Sequence, residues 1–211
     1  MPATEKLDRI RELVRTADEA ALDLVGIQDH PYQRRFLDTW SLIAALLTEN
    51  ERVSLFTDVA NLPLRPPAVM AKAAASLDVL SGGRFELGLG AGGLPDVIAG
   101  FGGPRRTPGE SVEALDEAID VISLLWSEER SVSFEGKHYR LDGARPGPRP
   151  AHPRGIWVGA LRPRMLRLVG RRADGCRRSE CSHVTSCVPA TDRSTPPPRR
   201  LAAIQARSGG S

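Results

Sequence analysis

Short apolar runs alternate with helix-like apolar patterns along the first 175 residues of the chain. Four runs have the length and composition of buried parallel strands, and they lie at residues 24–28, 53–57, 85–89 and 156–160. Around them, apolar residues recur every three or four positions, which predicts amphipathic helices at 4–23, 38–47, 66–81, 108–126 and 164–172. This alternation is typical of βα units that build a parallel sheet.

The stretch AKAAASLDVLSGGRFELGLGAGG, residues 71–93, joins a helix to a strand that ends in glycines. Gly88, Gly90 and Gly93 satisfy the G-x-G-x-x-G pattern of dinucleotide-binding folds. That pattern requires a helix at the third glycine and an acidic residue about 20 positions later. The sequence that follows, LPDVIAGFGGPRRTPGE, predicts a loop and places no such acid at a strand end. The pattern therefore favours a strand of a (β/α) barrel, whose glycines would let a flat ring lie on the backbone.

A predicted hairpin interrupts the βα alternation. Its strands are expected at 131–134 and 138–141, joined by Glu135-Gly136-Lys137. Residues 143–153 follow and contain too much proline for a helix or a central strand. We interpret this whole region as an insertion in the barrel.

These motifs resemble the luciferase-like monooxygenase family, TIM-barrel oxidoreductases that use FMN or the deazaflavin coenzyme F420. The block AKAAASLDVLSGGRFELGLGAG carries most of the resemblance, and GIQDHP, LPLRPPAVMAK, RRTPGESVEALDEAIDVI and IWVGALRPRMLRLVGRRADG extend it over about residues 4–175. The resemblance implies an α/β fold, a TIM (β/α)8-barrel of the bacterial luciferase type. Because only four barrel strands are predicted and eight close a barrel, we expect an incomplete barrel, about strands two to five, with the hairpin insertion.

The resemblance also implies an active site at the carboxyl ends of the strands. The family places a histidine beside the reactive edge of the flavin, which here is His30, with Asp29 able to orient its ring. Spacing alone equally allows Asp29 and His30 to be an ordinary loop pair. Asp58 and Val59 match a bulge, often with a non-prolyl cis peptide, that supports the flavin from behind, although an ordinary strand-to-loop transition is the alternative.

Small residues complete the implied coenzyme site. Gly88, Gly90 and Gly92 would let the ring approach the backbone, and Gly159 and Ala160 match the place where the phosphate of the flavin lies. The residues do not distinguish FMN from F420. Members that oxidise sugar phosphates with F420 carry a glutamate just after the glycine loop, whereas this chain has Gly93, which argues against a sugar phosphate substrate.

The distribution of charge along the chain limits the classes of molecule that it is expected to bind. The chain has a formal net charge of +3, but six basic and two acidic residues follow residue 175, so the first 175 residues carry a net charge of −1. This distribution offers no nucleic-acid surface. The basic pair Arg105-Arg106 could contact a phosphate or a polyglutamyl tail, although a solvated pair is the more common outcome. We expect a small-molecule substrate and, as is common in the family, a homodimer.

The three cysteines, at 176, 181 and 187, match no zinc pattern and no disulfide framework. We therefore expect no metal site and a reduced, cytoplasmic protein. The sequence has neither an apolar run of about 18 residues nor a signal-peptide pattern, which argues against a membrane location.

The character of the chain changes after Gly175. Residues 176–211 lack apolar periodicity and contain three consecutive prolines, which predicts disorder. Their Arg, Ser, Pro and Cys bias suggests an out-of-frame reading. We therefore expect two parts, a partial barrel at 1–175 and a disordered tail at 176–211.

Two functional classes follow. One is a flavin- or F420-dependent oxidoreductase or monooxygenase that acts on a small organic substrate, and the other is an inactive fragment of such an enzyme without cofactor. A phosphosugar barrel is disfavoured because no catalytic lysine or carboxylate is recognised at the strand ends. Because half a barrel exposes unpaired strand edges, we expect the 211-residue chain to be inactive and poorly soluble alone.

Overall fold

The computed structural model describes residues 2–152, 155–160, 165–168, 175–177 and 201–203. The helices are α1 Leu7–Glu19, α2 Thr39–Glu49, α3 Pro67–Leu80, α4 Pro95–Gly100 and α5 Pro108–Leu125. The strands are β1 Leu24–Ile27, β2 Ser54–Thr57, β3 Ala60–Asn61, β4 Phe85–Gly90, β5 Val132–Glu135, β6 Arg140–Ala144, β7 Ile156–Gly159, β8 Gly175–Arg177 and β9 Leu201–Ala203. Of the helix predicted at 164–172, the described residues 165–168 are helical.

The main sheet is parallel and follows the order β8-β7-β4-β2-β1-β9, with β3 paired beside β4. From β1 to β8, neighbours along this path follow one another in chain order, with only the short β3 and the hairpin strands β5 and β6 intervening. A doubly wound dinucleotide fold would instead reverse its strand order at a switch point. The structure therefore confirms the prediction of an incomplete (β/α) barrel.

The two faces of β4 divide the molecule into a helix-covered layer and a barrel interior. Phe85, Leu87 and Leu89 have no exposed surface and pack in the core with residues of α2, α3 and α5. On the opposite face, the ring of Phe56 lies between Gly26 and Gly88, where an added Cβ would approach it to 2.6 Å and 3.3 Å. Because side chains alternate between the two faces of a strand, β4 contacts the helices with one face. Its other face points into the barrel interior, where the ring of Phe56 fills space.

Local signals fix the ends of several helices. Asp38 caps α2 by accepting a hydrogen bond from the backbone N–H of Ser41. Thr107 and Glu110 form a capping box at the start of α5. Gly82 and Gly83 follow α3 with φ values of 68° and 92°, a conformation that glycine adopts without strain.

The segment 94–107 differs from the predicted loop because it contains the short helix α4. Pro95 occupies the first turn, where its missing N–H costs no hydrogen bond, and Ile98 is 1% exposed. One buried side chain in six residues leaves too weak a periodicity to be recognised in the sequence. The helix N-terminus also lies after Leu94, beyond the third glycine of the pattern.

The predicted hairpin is confirmed, since β5 and β6 are antiparallel. Glu117 of α5 anchors it by accepting hydrogen bonds from the backbone N–H groups of Lys137, His138 and Tyr139. One carboxylate therefore satisfies three donors of the turn.

The end of the proline-rich insertion is held against α3 by a buried carboxylate. Asp78, which has no exposed surface, accepts a hydrogen bond of 2.7 Å from the N–H of Ala151 and lies 3.2 Å from Nδ1 of His152. Nε2 of His152 lies 3.8 Å from Glu86, whose other oxygen accepts from the indole N–H of Trp157. These contacts tie the insertion to α3, β4 and β7.

Two segments of the predicted disordered tail are strands. Gly175–Arg177 pairs with β7, and Leu201–Ala203 pairs in parallel with β1, with Leu24 opposite Leu201. A three-residue strand is too short to show a periodic pattern, so neither pairing can be recognised from the sequence. The remaining tail residues lie outside the described part of the chain, and the two-part division stays a prediction.

Because β9 covers one edge of β1, shortening the chain after residue 200 should destabilise the sheet. The lost pairing would leave N–H and C=O groups of β1 unpaired, and we expect a decrease in the free energy of unfolding of about 1–2 kcal/mol together with more aggregation. A chain shortened after residue 206 keeps β9 and serves as the control. Denaturant unfolding and light scattering measure both effects, and equal behaviour of the two chains would contradict the role of β9.

In the described part of the chain, none of the helices has the length and apolar character needed to cross a bilayer.

Candidate functional site

The candidate site lies at the carboxyl ends of the parallel strands. β1 leads directly to Asp29 and His30, and β2 leads to Asp58 and Val59. In (β/α) barrels this end of the sheet carries the reacting groups. The topology therefore brings together the two segments that the sequence predicts to be functional.

A bulge follows β2. Pairing between β2 and β4 stops after Phe56 opposite Glu86, and the Asp58–Val59 peptide bond is cis. The hydroxyl of Thr57 then donates to the carbonyl of Gly88 at 2.8 Å and accepts from its N–H at 3.0 Å. One side chain thus replaces a backbone pairing while the main chain bends outward. The cis bond expected from the family resemblance is present.

The glycines of the site make room for this bulge. A Cβ at Gly88 would lie 2.1 Å from the backbone oxygen of Thr57, and one at Gly90 would lie 2.5 Å from Cγ2 of Val59. A Cβ at Gly159 would lie 3.1 Å from the same Val59 atom. The space where a side chain would stand at these glycines is filled by Thr57 and Val59, and the approach of a coenzyme ring to their backbone stays a prediction.

Two further predicted positions have clear packing roles. Gly92 has φ of 86°, and a Cβ there would lie 2.6 Å from Cγ of Pro63, so both its conformation and its surroundings require glycine. Ala160 is 2% exposed and belongs to the apolar core. Its side chain therefore packs inside the protein.

Asp29 is 5% exposed, and its Oδ2 accepts a hydrogen bond of 2.9 Å from the N–H of Asn61. It therefore fastens the end of β1 to β3, and its orienting of the His30 ring stays a prediction. Burial raises the pKa of Asp29, and this effect is opposed by the hydrogen bond from Asn61 and by the positive charge of Arg65.

His30 is half-buried, and its Nδ1 lies 2.7 Å from the hydroxyl of Tyr32. The ring of Phe36 lies 6.5 Å away, centroid to centroid. Burial lowers the pKa of His30 below its usual 6.5, against the opposing negative charges of Asp29 and Asp58. Tyr32 was missed by the sequence analysis, although its position two residues after His30 in DHPY was a visible signal.

The lowered pKa of His30 predicts a pH dependence of stability. Because folding favours the neutral ring, its contribution is complete above about pH 6.5 and is lost as the pH falls through the lower folded-state pKa. Wild-type protein should therefore lose stability relative to His30→Gln on acidification through this range. Thermal midpoints of both proteins at several pH values measure it, and a constant difference would contradict the prediction.

Asn61 contributes a buried acceptor to the site. It is 7% exposed, it follows the bulge, and its Oδ1 has no hydrogen-bond partner among the described residues. A buried carbonyl oxygen of this kind normally has a partner, so it is suited to accept a hydrogen bond from a bound molecule.

The basic pair after the glycine loop is engaged with protein groups. Arg105 forms an ion pair with Asp96, and Arg106 lies over the ring of Tyr139 and donates to its hydroxyl at 3.3 Å. In the ranges that the structure describes, no cluster of three His, Cys, Asp or Glu side chains is arranged to hold a metal ion.

Known proteins share both the sequence pattern and the fold of this chain. The sequence model of a family described as luciferase-like monooxygenase matches residues 1–177. An F420-dependent glucose-6-phosphate dehydrogenase of Intrasporangium calvum is 39% identical over 169 residues, which cover 75% of this chain and 50% of that protein. One from Nakamurella multipartita is 37% identical over 179 residues, 79% of this chain and 50% of that protein. The chain thus spans about half the length of these relatives.

Solved structures agree on the fold. An F420-dependent secondary alcohol dehydrogenase with an F420-acetone adduct superposes with a TM-score of 0.73 at 22% identity, over 81% of this chain and 53% of the other. The oxygenating constituent of 3,6-diketocamphane monooxygenase from Pseudomonas putida, in complex with FMN, gives 0.67 at 22% identity, over 82% and 51%. Together with the matched sequence and the strand order, these likenesses show that the chain belongs to the luciferase-like monooxygenase family.

Proposed function

We propose that this chain carries the coenzyme-binding half of an F420- or FMN-dependent oxidoreductase that acts on a small organic substrate. The observation that carries the proposal is the Asp58–Val59 bulge at the carboxyl ends of the strands, where Val59 packs against Gly90 and Gly159. The negative charge of Asp58 also acts on His30, since it favours the protonated ring. The names of the relatives and the coenzymes in the solved structures support the same choice.

The residues present fit such a coenzyme. The bulge would support one face of the ring, and Gly92 would keep the adjoining loop close to it. The unpartnered Oδ1 of Asn61 offers an acceptor to an N–H or O–H group of the bound molecule. When bound, the coenzyme supplies the hydride chemistry, while the protein supplies orientation and electrostatics.

His30 is the polar group of the site suited to act on a substrate oxygen. Its lowered pKa keeps the ring neutral at pH 7, so one nitrogen can donate and the other can accept. Asp29, which is bound to Asn61, holds the strand end that presents His30. The role of Asp29 is therefore to position this segment.

The proposed substrate is not a sugar phosphate, although the relatives are named for glucose-6-phosphate. Gly93 stands where the sugar-phosphate-oxidising members are expected to carry a glutamate. Small alcohols, aldehydes and ketones are the candidates that we propose to screen.

Coenzyme titration tests the proposal. The sequence alone led to the opposite expectation, an inactive 211-residue chain, whereas this proposal requires F420 or FMN to bind the purified chain with a stoichiometry of one, as measured by changes in coenzyme fluorescence. His30→Ala should keep the coenzyme affinity within a few-fold and lower the turnover rate by about 10²–10⁴, the range for loss of a general acid or base. His138→Ala, on the hairpin, is the matched control and should leave both unchanged. Failure of both coenzymes to bind would overturn the proposal and favour the inactive fragment.

A further inference from the structure

The hydroxyl of Tyr32 is the only hydrogen-bond partner that His30 has among the described residues. Its oxygen lies 2.7 Å from Nδ1, and the two ring centroids are 5.5 Å apart. Burial, reinforced by the negative charge of Asp29, raises the pKa of the Tyr32 phenol above 10, so the hydroxyl keeps its proton at neutral pH. The pair therefore shares one short hydrogen bond whose direction depends on the imidazole.

The direction of this bond follows from where each proton can go. His30 is neutral at pH 7, so one of its two nitrogens is an acceptor. If Nδ1 carried the proton, the phenol proton would have no protein acceptor in the described part of the chain. If Nδ1 is the acceptor, the hydroxyl is satisfied and the imidazole proton resides on Nε2. An imidazole nitrogen is a stronger acceptor than a phenol oxygen, so the second arrangement is favoured. It leaves Nε2–H without a partner among the described residues, as the donor available to a bound molecule.

We propose that Tyr32 is a positioning residue that fixes the neutral His30 ring with its proton on Nε2, so that Nε2–H is the donor offered to an oxygen of the substrate or coenzyme. This inference rests on the proposed function and deepens it, because the site is then built to donate a hydrogen bond from His30. It assigns different roles to the two side chains of the pair: Tyr32 sets the tautomer, and His30 makes the contact.

The same hydrogen bond affects the titration of His30. The groups that act on the ring are the carboxylates Asp29 and Asp58, which favour the charged form, and the Tyr32 hydroxyl, which donates to the neutral form. Removing the hydroxyl should therefore raise the pKa of His30 by about half a unit.

The test is ¹⁵N NMR of the histidine rings in the full 211-residue chain, with His30→Gln identifying the His30 signals among the four histidines. In the wild type we expect a hydrogen-bonded, unprotonated Nδ1 and a protonated Nε2. In Tyr32→Phe, Nδ1 should move toward the shift of a free imidazole and the pKa should rise. Tyr139→Phe removes the hydroxyl of the other tyrosine and should change neither value.

A wild-type His30 with its proton on Nδ1 would overturn the inference, even if Tyr32→Phe failed to fold. Unchanged ¹⁵N shifts in a folded Tyr32→Phe would also overturn it. The NMR readout needs no coenzyme, so it is separate from the titration that tests the proposed function. In turnover assays, Tyr32→Phe should lower kcat while coenzyme affinity stays within two-fold.

Discussion

Replacing Gly88 with alanine is expected to lower the free energy of unfolding by about 3 kcal/mol or more. The new methyl group would stand 2.1 Å from the backbone oxygen of Thr57. A backbone atom of a paired strand cannot rotate away, so β2 and β4 would have to separate. That movement would also break the two hydrogen bonds between the Thr57 hydroxyl and Gly88. Urea unfolding followed by circular dichroism measures the change.

Gly93→Ala is the matched control. It lies in the same glycine cluster, but a Cβ there meets no atom within 4 Å. The control should be neutral or slightly stabilising, since alanine restricts the unfolded chain more than glycine does. Equal stability of the two variants would show that the bulge does not depend on Gly88.

Asp78→Ala is expected to cost about 1–3 kcal/mol of stability, the range for leaving a buried hydrogen-bonding group unsatisfied. The change removes the carboxylate beside His152 and the acceptor for the N–H of Ala151, at a position where Asp78 itself has no exposed surface. The end of the proline-rich insertion should then detach from α3. Unfolding by urea, together with hydrogen exchange of residues 151 and 152, measures both consequences.

Asp96→Ala is the control for this effect, because Asp96 also has a basic side chain as partner, Arg105, but is itself 72% exposed. Exposed pairs contribute little to stability. If Asp78→Ala unfolded at the same urea concentration as Asp96→Ala, the insertion would not depend on the buried carboxylate.

The sequence predicted the elements that have strong periodicity or clear end signals. The helices predicted at 38–47 and 66–81 and the hairpin are all found. These features are recognisable because the determining interactions lie within a few residues of one another. The short helix α4 was missed because it buries a single large side chain, Ile98.

The details of the site depend on contacts between distant parts of the chain. Asp29 accepts a hydrogen bond from the backbone of Asn61, 32 positions away. A glycine pattern likewise cannot reveal whether a ring or another strand fills the space beside each glycine. The same limit applies to the pairing of Leu201 with Leu24. Spacing in the sequence indicates which residues share a strand end, but side-chain partners are set by the packing of the whole sheet.

The sequential order of β1, β2, β4, β7 and β8 has a consequence for how the protein assembles during synthesis. Each βα unit can add to the edge left by the preceding one, so the sheet can grow from the N-terminus while the ribosome is still translating. The pairing of β9 with β1 is the exception, because it joins residues about 177 positions apart in sequence. During translation one edge of β1 therefore stays unpaired until residues 201–203 have been made. Over this time a chaperone could bind that edge.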